Sequence, residues 1–182
     1  MFAGAAFLLA LVGCGAQQAE PVVDGDRHQA AAHHHEAAAA ASDIDEKLAE
    51  VARIHGGAGP WAVAGYRMGE HAMAALGVKR GSFDLEVVHH SPREVQYSCI
   101  ADGAAAATGA SLGKLNLAIS EAPLAETRTI YRSRSTGATI TLRPSPAFAK
   151  RFHDVPRARL AEAGREAMAL PNAEVFEVVE AP

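Results

Sequence analysis

His55 and Cys99 are the side chains whose type and setting first suggest chemistry. His55 opens the stretch "HGGAGP", residues 55–60, a glycine-rich turn leading into a proline-started helix. Such a turn exposes backbone N–H groups, and the helix dipole favours an anion beside them. An imidazole also suits the C-terminal end of the preceding helix, which gives His55 a plain structural reading. Cys99 opens "CIADGAAAATGASLGKLNL", residues 99–117. A thiol just before a helix N-terminus is expected to ionise more readily, and the small residues after it remove steric cover. The competing reading is a small buried hydrophobe. Lys114 and Asn116, just past a turn at Gly113, add a cation and an amide that both donates and accepts. His89 and His90 close a predicted strand, so at most one of them can face an interior site. His28, His33, His34 and His35 lie in an alanine-rich run. Clustered imidazoles can capture a transition metal; the bland reading is a solvated linker, since ordering a mobile arm costs entropy.

The elements that must position these groups follow from pattern. "SDIDEKLAEVARIHGG" opens with a Ser-x-x-Asp cap at Ser42, carries Ile44, Leu48, Val51 and Ile54 at helical spacing, and ends in glycines. A second helix starts at Pro60 and stops at Gly77. It is apolar almost all round, so it is predicted to be central and buried, and Gly65 and Gly69 leave a bare stripe for close packing. "FDLEVVHH" alternates as a strand, and Tyr97–Ile100 is expected to be a short one. Asp102 is expected to cap a short helix closed by Gly109. Thr127–Arg134 and Ala138–Arg143 form a predicted hairpin with an arginine face and an apolar face. Helices from Ser145 and near Pro156 and a last strand "VFEVVE" follow. The fold class expected is α+β: a mixed, largely antiparallel sheet packed against helices, with a central buried helix after the Gly-rich loop.

The chain has 182 residues and a formal charge of −4, which suits one domain plus a tail and gives no basic excess to attract nucleic acid. Three segments are predicted. Residues 1–13 read as a signal peptide whose apolar core runs from Phe2 to Val12 and ends in a lipobox-like Leu11-Val12-Gly13-Cys14, with Cys14 the lipidated residue. No Lys or Arg precedes the apolar run; a buried N-terminal helix and a Cys14–Cys99 disulfide are the competing readings. Residues 14–42 form an Ala/His-rich tether, and 43–180 the folded domain. The localisation expected is the bacterial envelope, lipid-anchored and facing the periplasm. A homodimer is a further expectation, from a hairpin edge expected to be exposed.

"HGGAGPWAVAGYRMGEHAMAALG" followed by "EVQYSCIADGAAAATGASLGKLNL" resembles the formylmethanofuran dehydrogenase E-subunit family. His55-Gly56 and Pro60 match its loop; Arg67-Met68-Gly69 match its helix motif. Cys99 with Asp102, Thr108-Gly109, Gly113-Lys114 and Asn116-Leu117 match the rest, over roughly residues 48–145. The resemblance implies an α+β fold and a zinc-like divalent metal in some members. It also implies that the His55 turn and the Cys99 helix start meet in one pocket, with Lys114 and Asn116 orienting what binds. The metal donors implied are His55 and Cys99, with Asp102 as a third. A tetrahedral zinc site wants three or four protein donors. This chain departs from the family pattern with Gly57 for the loop's second histidine and Gly59 for its cysteine. The first reading is a module binding a divalent metal or small anion. An enzyme using Cys99 and His55 for hydrolysis or redox chemistry, and a scaffold with a vestigial pocket, stand beside it.

Overall fold

The computed structural model describes residues 25–179, with side chains from residue 38 onward. The signal peptide and Cys14 lie outside the described residues, as do the side chains of His28, His33, His34 and His35. From Ala38 onward the chain forms one compact unit.

Helix α1 spans Gly25–His55. The helix expected from Ser42 begins earlier because the alanine-rich run before it has high helix propensity without needing an apolar face. Within the compact unit Val51 is fully buried, and Ile44 and Leu48 pack against the core, as their spacing predicts. Helix α2 spans Pro60–Leu76. Ten of its residues, from Pro60 to Ala72, are buried, which makes it the central helix of the unit.

Strand β1 (Leu85–Ser91) is followed by helices α3 (Val95–Ser98) and α4 (Ile100–Thr108). The strand expected over Tyr97–Ile100 is instead the junction of these helices, with Cys99 as the shared cap residue. Strand β2 (Leu117–Glu121) then pairs parallel to β1. Strands β3 (Arg128–Ser133) and β4 (Thr139–Pro144) form the predicted hairpin, and β3 pairs antiparallel with β1. Helices α5 (Pro146–Arg151), α6 (Leu160–Ala169) and α7 (Asn172–Val175) precede strand β5 (Phe176–Val179), which pairs antiparallel with β4. The sheet order is β2-β1-β3-β4-β5, one parallel pair in a five-stranded sheet that is otherwise antiparallel. The α+β architecture is therefore the one the pattern predicts. The β3–β4 hairpin sits inside the sheet, so the edge invoked for a dimer belongs to β2 and β5 instead.

Small residues explain how α2 and α4 pack. A Cβ at Gly65 would lie 2.0 Å from the Ile100 carbonyl oxygen, and one at Gly103 would lie 1.8 Å from that of Ala62. Only glycine permits this approach. The alanine and glycine patch after Cys99 thus admits α2, where the sequence suggested only a thiol without steric cover.

Candidate functional site

α1 ends at His55, and Gly56, at φ 86°, turns the chain in a conformation that favours glycine. Gly57 and Ala58 then lead to Gly59, the N-cap of α2. α6 holds this turn from outside: a Cβ at Gly164 would lie 1.7 Å from the Ala58 carbonyl oxygen. Asp102 lies in the first turn of α4 and makes no capping bond. Its carboxylate instead accepts a 2.8 Å hydrogen bond from Nδ1 of His55, 47 residues away. The carboxylate can only accept, so Nδ1 carries the proton and the imidazole is oriented with Nε2 available. Both side chains remain partly exposed, 24% for His55 and 47% for Asp102. The His55 turn and the α4 entrance therefore meet through this pair, whereas the resemblance implied a common pocket, and no cleft described below is lined by either residue.

Cys99 lies one helical turn before Asp102 and is 8% exposed. Its thiol donates to the Gln96 carbonyl oxygen at 3.2 Å. Burial and the nearby Asp102 carboxylate push its pKa up to about 12, opposite to the shift expected from a helix N-terminus. Desolvation outweighs the dipole of a nine-residue helix here.

Lys114 and Asn116 are not part of this junction. They follow Gly109, the C-cap of α4, and a nine-residue helix separates its ends by about 13 Å. Lys114 Nζ donates to the carbonyl oxygens of Gly81 (3.1 Å) and Gly109 (2.8 Å). Asn116 is 2% exposed; its amide donates to Leu85 O and accepts from Ser111 N. Both residues lock loops at the far end of α4. His89 is likewise occupied: Nε2 donates to Tyr97 O at 3.1 Å, which leaves Nδ1 to accept from the Thr129 hydroxyl at 2.9 Å. Burial lowers its pKa to about 4, so it is a neutral core histidine with no free nitrogen for a site. His71 packs its ring against Phe176 at the edge of the core, with centroids 5.1 Å apart.

The donor set does not fit a closed zinc site. Two of the three implied ligands are bonded to each other and the third is a buried thiol. Among the described residues no group of three His, Cys, Asp or Glu side chains could hold a metal ion. Three surface clefts, of about 510, 180 and 270 Å³, are lined by other residues, and His55, Cys99 and Asp102 line none of the three.

Arg67 has a role that its motif did not reveal. Its guanidinium donates to the carbonyl oxygens of Ala167, Met168 and Leu170, which close the C-terminal end of α6, and to the Asn172 side chain. The one arginine of a largely buried helix is the available signal, because a partly buried charge must find acceptors.

No curated protein matches the chain. The profile of the family described as "FmdE, Molybdenum formylmethanofuran dehydrogenase operon" matches residues 54–177, from the last turn of α1 into β5. That span holds the His55 turn, the α4 entrance and strands β1 to β4, and on it the chain belongs to the FmdE family.

Proposed function

We propose that this FmdE-family domain is a ligand-binding module whose working element is the His55–Asp102 pair, and that it takes a divalent cation of zinc-like preference. The observation that carries the reading is the 2.8 Å bond between side chains brought together across 47 residues. A carboxylate that fixes one imidazole nitrogen orients the other towards a cation and raises its basicity as a donor. Such a site is open and short of donors, with the remaining positions left to solvent or to an anionic ligand carried by the cation. The thiol-nucleophile reading has less support, because the Cys99 proton is held by the Gln96 carbonyl and by burial.

Titration calorimetry of the full chain with zinc tests the module. Loss of half or more of the heat with His55→Ala, and a weakening of roughly tenfold with Asp102→Asn, are the expected outcomes. Clustered imidazoles in the histidine-rich segment can capture zinc on their own account, so equal isotherms for wild type and His55→Ala would refute the site.

We further propose that the module is a lipid-anchored envelope protein, tethered through Cys14. The support is the lipobox-like Leu11-Val12-Gly13-Cys14 after an apolar run. Incorporation of labelled palmitate into wild type and not into Cys14→Ser is the expected result; label in both chains or neither would end the proposal.

A further inference from the structure

The far end of α4, away from the His55–Asp102 pair, presents large apolar side chains to solvent. Phe83 is 67% exposed, Leu112 73% and Leu115 83%. They are neighbours by construction. Arg134 donates to the carbonyl oxygens of both Phe83 and Leu115, the Leu115 N–H bonds Leu112 O, and Lys114 Nζ stands 5.3 Å from the Phe83 ring centroid.

Leu115 is the informative residue. Its φ is 53°, in the left-handed region that a branched side chain adopts at a cost and that glycine or asparagine adopts freely. Its side chain buries almost nothing in return. Neither backbone preference nor core packing accounts for a leucine there, so its contribution lies outside the folded unit.

Charge selects the occupant. Arg80, Lys114 and Arg134 stand at this end, with Lys79 next to Arg80 in the chain and Arg132 sharing Glu86 with Arg134. The carboxylates facing them are Glu50 on Arg80, Glu86 near Arg132 and Arg134, and Asp84, held by Ser133 and Ser135. Among the described residues the ion pairs at this end are those of Arg80, Arg132 and Arg134; Lys114 is bonded to carbonyl oxygens and Lys79 forms no ion pair. The rim is therefore net positive on a chain whose formal charge is −4. Apolar tips beside a net positive rim match the interface of an anionic bilayer, where the tips enter the headgroup region and the surplus positive charge of the rim attracts lipid phosphates.

We propose that the Phe83–Leu112–Leu115 rim is a membrane-docking surface for anionic lipid. This does not depend on the His55–Asp102 reading and uses none of its residues.

The test is positional, since the N-terminal apolar run can itself partition into lipid. The full chain carrying Cys14→Ser and Leu112→Cys is labelled at position 112 with an environment-sensitive dye. A second chain carries the label at Lys150→Cys on α5. Phosphatidylethanolamine vesicles containing phosphatidylglycerol should blue-shift the dye at 112 and not at 150, and high salt should reverse the shift. Leu115→Gly in the labelled chain should need roughly tenfold more lipid for the half-maximal shift. Its Tm should be equal or higher, because glycine relieves the backbone. A purely structural leucine would move the Tm down and leave lipid binding unchanged. The proposal is overturned by no shift at 112, by equal shifts at 112 and 150, or by a shift that follows protein concentration without vesicles, which would mark the rim as a protein contact.

Discussion

His89 shows how a residue can carry chemistry in type and none in place. Alternation along β1 put one of the two adjacent histidines inside, and the structure takes up both its nitrogens with Tyr97 O and Thr129. Its folded pKa, near 4, lies below the ordinary value of 6.5. The unfolded chain therefore binds the proton first. Stability is unaffected above the unfolded pKa, falls as pH drops from about 6.5 to about 4, and levels off below the folded pKa. The full swing is about 3 kcal/mol. Urea midpoints measured across that window should drop for wild type. His89→Gln should start lower, from lost packing, and run flatter; parallel curves would contradict the assignment. For Cys99 and Asp102 the sequence showed the right neighbourhood and the wrong behaviour. Position at a helix start is legible in one dimension, whereas desolvation of the thiol and the reach of His55 to Asp102 depend on what packs from afar.

At the scale of elements, the glycines of α2 and α4 were the legible signal. Gly65 and Gly69 announced close packing, and the structure supplies α4 as the partner, with Gly103 approaching in return. Gly103→Ala drives a methyl into the Ala62 carbonyl and should cost about 3 kcal/mol. Gly113→Ala is the control, because a Cβ there meets nothing within 4 Å. Thermal melts of the two variants should separate clearly; similar Tm values would mean that the helices can part without penalty. The junction after β1 differs from the strand expected there because Tyr97 and Ile100 favour strands by composition. Helical hydrogen bonds from Tyr97 N and Ser98 N to Glu94 O and the burial of Ile100 against Gly65 decide it, and only the second is tertiary in origin.

For the molecule as a whole, the pattern of helices and strands was enough for the α+β class but not for the strand order. The order places the hairpin inside the sheet and leaves β5, the last element, to cover β4. Val175 and Phe176 enter with it, 0% and 4% exposed. Ending the chain after Asn172 removes both side chains and bares an edge. The loss is about 4 kcal/mol of apolar burial, a large share of the roughly 5–15 kcal/mol that holds a domain together. Size-exclusion chromatography of the truncated chain should show aggregation, and its denaturant transition should broaden or vanish. A monomer with a sharp transition would show that the unit is complete without its final strand.

The contact between Gly164 and the Ala58 carbonyl has a temporal side. A ribosome adds roughly 5–20 residues each second, so on the order of ten seconds pass between emergence of the histidine turn and arrival of the helix that braces it. During that interval the imidazole is already outside while its support is still being translated. The junction of His55 with Asp102 is thus made early and braced late.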